Sequence, residues 1–183
     1  YVLYDLSEKV LPSRFETAQQ PEPNLIQFCL RGINSQTWIE ASWDSDSPRI
    51  LKINRPEKIG TESTLSKQLR YGLKYMALVT IEQDKFERVI KFGFAKKPGD
   101  EINKYLIFEL MGKHSNIFYL DNNQKIIAVG KQINSNQSSF RTVSTGYIYS
   151  EPPKNIKKEP SSNESYETWK ESISSVSESL RYC

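Results

Sequence analysis

Five short runs between residues 75 and 133 constrain the fold more than anything else. They read YMALVTIEQ, FERVIKFGFA, KYLIFELMG, NIFYLD and KIIAVGKQI. Each is dense in β-branched and aromatic residues, and residues that favour turns separate them. That composition fills a pleated sheet. Links this short return a strand beside its predecessor, so the runs predict an antiparallel meander. Asp121-Asn122-Asn123 tolerates left-handed backbone and supplies the last hairpin turn. The first half repeats the pattern with RFETAQQ, the turn PEPN, then LIQFCLRG, TWIEASW and RILKIN.

Helices are few. Residues 1–11 place Val2, Leu3, Leu6, Val10 and Leu11 on one stripe. TESTLSKQLRYGL carries Leu65, Leu69 and Leu73 at i, i+4 and i+8, with Thr61 or Ser63 as cap and Gly72 as terminator. Lys67, Arg70 and Lys74 flank this helix, either as a solvated face or as a basic rim for RNA phosphates. From Glu151 the composition changes to Pro, Lys, Ser and Glu without periodicity. The predicted division is a domain over 1–153, a linker over 154–165 and an amphipathic helix over 166–183. Tyr166, Trp169, Ile173, Val176 and Leu180 form the stripe of that helix. The chain opens on Tyr1 and stops at Cys183, both within helical patterns, and we expect a piece of a longer protein whose missing domain receives this stripe.

The 183 residues can bury a real core, and a net charge of +3 is only mildly basic. Residues 151–183 hold five basic and six acidic residues, leaving twenty and sixteen in the first 150. Two cysteines far apart make no disulfide framework, which favours a reducing compartment. No apolar run reaches membrane-spanning length, so no membrane is expected as partner. One histidine and two distant cysteines cannot build a structural zinc site, and no phosphate-cradling glycine loop appears, so neither metal nor cofactor is expected. His114 with its neighbour Ser115 is poor triad geometry, and no GxSxG elbow is present.

Two places invite chemistry. In KFERVIKFGFA, alternation puts Phe86, Arg88, Ile90, Phe92 and Phe94 on one face, so Arg88 needs a partner or a solvent exit. In KYLIFELMG, Glu109 shares its face with Tyr105, Ile107 and Met111. Either Arg88 and Glu109 pair, or Arg88 precedes the strand and points to water. The stretch GKHSN then reads as a strand end and a polar turn, in which Ser115 and Asn116 bond locally.

LIFELMGKHSNIFYLD resembles the ELMGRHSN signature of the NFACT proteins, a family that works in ribosome-associated quality control and some of whose members were named fibronectin-binding proteins. LPSRFETAQQ, STLSKQLRYGL, FERVIKFGF and GKQINSNQSSFRTVSTGYIYSEPP resemble further family segments in family order. The resemblance covers residues 1 to about 153. It implies an α+β fold, with β-sandwich-like antiparallel sheets and flanking helices, similar to the N-terminal domain of formamidopyrimidine-DNA glycosylases. It also implies partners: large ribosomal subunits obstructed by peptidyl-tRNA, charged tRNA (alanyl-tRNA in bacteria), and C-terminal domains of the same chain. The family directs untemplated tailing of stalled nascent chains in the cytoplasm, and the ribosome performs the chemistry, so no catalytic residue is implied.

The family's Asp-Arg pair falls on Glu87-Arg88, one methylene longer at the acid. Lys113 stands where arginine is common, and it keeps the charge without the bidentate fork. His114, Ser115 and Asn116 match the signature. Thr145-Gly146 replaces the family's Pro-Gly, and Lys131-Gln132 its Lys-His. The implied RNA-binding set is therefore Glu87, Arg88, Lys113, His114, Ser115 and Asn116. The competing readings are a surface adhesin and a nucleic-acid-binding, glycosylase-like domain without activity.

Overall fold

The structure, a computed structural model, describes residues 2–59, 62–84, 87–137, 141–153 and 163–174. The chain forms two compact units, 1–152 and 153–183. In the first unit, helix α1 (Val2–Val10) leads into β1 (Ser13–Glu22), β2 (Leu25–Arg31), β3 (Gln36–Ser42) and β4 (Arg49–Ile53). Helix α2 (Thr64–Gly72) follows, then β5 (Ala77–Gln83), β6 (Val89–Ala95), β7 (Ile102–Glu109), β8 (Asn116–Asp121) and β9 (Ile126–Val129).

All nine strands join one antiparallel sheet in the order β4-β3-β2-β1-β5-β6-β7-β8-β9. The expectation of antiparallel, β-rich architecture with few helices holds, but the sheet is continuous. Its seam is narrow: β1 meets β5 only through Ser13 opposite Leu78 and Arg14 opposite Ala77.

Aromatic distances show that the sheet bends back on itself. In a flat sheet β2 and β6 would lie three spacings, about 14 Å, apart. The rings of Phe28 and Phe92 have centroids 6.1 Å apart, and Phe28 and Phe108 lie 6.3 Å apart across four spacings. The two halves therefore face each other, and Phe15, Phe28, Phe92, Phe94, Phe108 and Ile39 fill the space between them. Each such ring removed from water contributes roughly 1.5–3 kcal/mol.

Helix α2 packs Leu65 and Leu69, and its C-cap Leu73, into this core. Ser63 is its cap: its hydroxyl accepts from Ser66 N, and the Ser66 hydroxyl accepts from Ser63 N. The helix ends at Gly72, as expected, with Leu73 as its C-cap, and the position admits only glycine. The reason is space, since a Cβ there would fall 2.2 Å from the Tyr119 hydroxyl.

A second, smaller cluster forms behind β7–β9, where Ile107, Phe118, Leu120 and Ile126 pack with Val143 and Tyr149. Val143 and Tyr149 belong to residues 141–150, which cover this face. They are held by bridges from Ile133 to Val143 and from Lys125 to Ile148.

In the second unit, α3 (Tyr166–Ser174) exposes Tyr166 and Trp169, whose rings stack at 5.9 Å. Val176 and Leu180 of the expected stripe, and most of the expected linker, lie outside the described residues.

Candidate nucleic-acid interface

The site is built at one end of the sheet, where β6 begins, β7 ends and β8 begins. Val89 pairs with Glu109, and Leu110 N donates to Arg88 O at 2.9 Å. That bond fixes the Arg88 backbone beside the β7–β8 turn. The β6 strand itself starts only at Val89, so Arg88 stands before it and is exposed. Alternation also separates the two charges considered as a pair. Val89 shares a face with Glu109, so its neighbour Arg88 belongs to the other side. Arg88 and Glu109 do not meet, and the reading in which Arg88 precedes the strand is the one the structure supports.

The partner of Glu109 comes from a distant segment. Glu109 is fully buried and forms an ion pair with Arg141, while the Tyr149 hydroxyl donates to its other oxygen at 2.9 Å. Arg141 also donates to Ser150 O, and its guanidinium lies 5.6 Å from the centre of the Phe118 ring. Phe118 in turn packs edge-on against Tyr149 at 4.9 Å. Burial pushes the Glu109 carboxyl above its ordinary range, and the hydrogen bonds from Arg141 and Tyr149 pull it back only in part. Sequence reading missed Arg141 and Tyr149. The available signal was a carboxylate among apolar neighbours, which requires a cation from somewhere in the chain.

The turn is locked from inside. Gly112 takes φ +56, a left-handed conformation, and Gly112–His114 makes one 3-10 turn. The Ser115 hydroxyl accepts from Met111 N at 2.8 Å. Asn116 spans to Lys131, two residues past the end of β9: its amide donates to Lys131 O at 2.8 Å, and its carbonyl accepts from Lys131 N at 2.8 Å. Ser115 and Asn116 are each 1% exposed. Their side chains face the protein and hold the turn's shape.

Lys113 and His114 are exposed. With Arg88 they place a guanidinium, an ammonium and an imidazole at one end of a rigid sheet. Glu87, half-buried, precedes Arg88. Lys131, held by Asn116 through its backbone, donates its ammonium to Trp43 O at 3.4 Å, just past β3 in the other half of the sheet.

The basic rim sits on a different element. Arg70 and Lys67 both pair with Glu62, Lys67 at 4.0 Å, and the Lys74 ammonium lies 5.0 Å from the centre of the Tyr75 ring. Two of its three charges are thus partly neutralised. Among the described residues, no group of three or more His, Cys, Asp or Glu is placed to hold a metal. No helix among them is long and apolar enough to cross a membrane.

The class defined by these features is an antiparallel β scaffold that presents charged donors on a turn braced from beneath. A family model described as NFACT N-terminal and middle domains matches residues 1–182, and the chain belongs to that family. A protein named "Rqc2 homolog RqcH" from Streptococcus suis is 38% identical over 94 residues, half of this chain and 17% of that protein. One of the same name from Bacillus subtilis is 27% identical over 161 residues, 86% of this chain and 28% of that protein. The chain thus spans well under a third of these relatives. Among solved structures, the N-terminal domain of the fibronectin-binding protein PavA from Streptococcus pneumoniae superposes with a TM-score of 0.78 at 25% identity, covering 94% of this chain and 66% of that one. The N-terminal part of the fibronectin/fibrinogen-binding protein of Streptococcus suis gives 0.79 at 26%, covering 95% and 66%.

Proposed function

We propose that this chain is the tRNA-handling and ribosome-binding module of an RqcH-like factor of ribosome-associated quality control. In this reading the whole protein binds large ribosomal subunits obstructed by peptidyl-tRNA. It recruits charged tRNA, alanyl-tRNA, for untemplated tailing of the stalled chain in the cytoplasm. The chain acts by binding, and the ribosome makes the new bonds. Likeness to the glycosylase N-terminal domain belongs to the same proposal, as an architecture without base excision.

The observation that carries the reading is the exposed trio of Arg88, Lys113 and His114 on a turn whose shape is set by buried Ser115, Asn116 and Glu109. Arginine and lysine meet phosphate, and an imidazole meets phosphate or sugar oxygens. Holding these donors on strand ends suits a nucleic acid with a fixed backbone bend. Binding should weaken with salt by a slope of about −0.7 to −0.9 per phosphate engaged.

The test is co-sedimentation of tRNA with obstructed large subunits, using the full-length protein. Arg88→Ala should abolish tRNA recruitment while the protein remains folded, and undiminished recruitment would refute the assignment. A second reading rests on the names of PavA and its Streptococcus suis counterpart, which attach fibronectin or fibrinogen binding to those proteins. Fibronectin binding that survives Arg88→Ala while tRNA recruitment is absent in the parent protein would favour it.

A further inference from the structure

A cavity of about 320 Å³ lies against the first half of the sheet, away from the turn that carries Lys113 and His114. Trp38 alternates with core residue Ile39, so it faces outward and forms part of the cavity wall. Thr17 lies beside it on β1. Arg55 and Lys58 contribute from the segment after β4, and Glu62 and Arg70 from α2 and the residues just before it.

The polar groups lining this space divide cleanly into satisfied and unsatisfied ones. Gln19 is used up: its amide donates to Gln27 and to Glu57 O, and its carbonyl accepts from Ile59 N. Ser66 is engaged with Ser63, and the Glu62 carboxylate is held by Arg70 and Lys67. Among the described residues, Arg55 and Lys58 have no ion pair or hydrogen bond. The Trp38 indole N–H is buried without an acceptor. The unused capacity is therefore donor capacity, and the lining cations outnumber the carboxylate by three to one.

An Arg fork beside a Lys point charge suits phosphate, which offers oxygens to both at once. The space exceeds what an ion fills and falls at the lower end of small-ligand cavities. Trp38, Pro56 and Ile59 supply apolar wall for the remainder. We propose that this cavity binds a phosphorylated molecule of nucleotide size, with its phosphate on Arg55 and Lys58 and its ring against Trp38. The site goes beyond the function proposed above and uses none of the turn residues. The same chemistry is offered by a free nucleotide and by the phosphorylated end of an RNA strand.

Isothermal titration of the 183-residue chain tests the site with adenosine monophosphate, inorganic phosphate, adenosine and a 5′-phosphorylated oligoribonucleotide. Adenosine monophosphate should bind tightest of the three small probes, and adenosine weakest. The Arg55→Ala/Lys58→Ala variant should weaken its binding by about a hundredfold, roughly tenfold for each charge-assisted contact. Both side chains are exposed, so the variant keeps its fold. Lys97→Ala, which removes a surface charge elsewhere, should leave binding unchanged. An oligonucleotide that binds tighter than the monophosphate assigns the site to an RNA end, and one that binds weaker assigns it to a free nucleotide. No heat from either phosphate-bearing small probe, or binding that survives the double substitution, would overturn the proposal.

Discussion

Replacing Arg141 by leucine tests the buried network under the proposed interface. Glu109 is 0% exposed and Arg141 14% exposed, so solvent cannot rescue the abandoned carboxylate. Breaking a buried pair by removing one partner costs about 3–5 kcal/mol. In urea, with a slope of about 1–3 kcal/mol/M for a domain of this class, the midpoint should fall by about 2 M. The loss should depend on pH, with a definite sign. The folded-state pKa of Glu109 already lies above its unfolded value because of burial, and losing Arg141 raises it further. The folded variant therefore favours the protonated acid, and its stability falls as pH rises through that raised value. Urea titrations followed by circular dichroism at mildly acidic and mildly basic pH should show the larger deficit at the basic end. Arg88→Leu is the matched control: an exposed side chain without this role should stay within about 0.5 kcal/mol of wild type. Tyr149→Phe should fall between them, at about 1.5–3 kcal/mol for a hydrogen bond to a charged group. Equal midpoints for Arg141→Leu and Arg88→Leu would refute this account of the pairing.

Gly72→Ala should destabilise by about 1–3 kcal/mol despite alanine's better helix propensity, because its Cβ would overlap the Tyr119 hydroxyl. Tyr119→Phe in the same chain should restore part of the loss in thermal unfolding, since that buried hydroxyl has no hydrogen-bond partner to lose. Cys29 is 2% exposed, and burial pushes its thiol up to about 11, so iodoacetamide at pH 8 should label it only after denaturation. The Arg31 guanidinium hydrogen-bonded to Glu16 holds that carboxyl below its usual 4.5. Its small contribution to stability is present above that pH and fades as pH falls through the folded value. The difference between wild type and Glu16→Gln should therefore shrink in acid.

The candidate interface was half legible. Arg88, Lys113 and His114 carry charge or a ring nitrogen in a recognisable order, and the structure leaves all three exposed at one end of the sheet. Ser115 and Asn116 belong to the same contiguous motif but turn inward. Contiguity in sequence does not report which side of a turn a side chain takes. Glu109 announced its need for a cation, but not that Arg141, thirty-two residues later, would meet it. That depends on how residues 141–150 fold back over β8.

Local physics determined the strands, their antiparallel order and α2 with its Ser63 cap, because alternation, turn residues and caps act within a few positions of one another. Tertiary structure decided what depends on separation in space. The bend at the β1–β5 seam brings Phe28 against Phe92 and Phe108. Tyr119 fixes Gly72 by close approach, and Arg141 reaches Glu109. Contacts of this kind are set by the packing of surfaces far apart in the chain, and no window of neighbouring residues contains them.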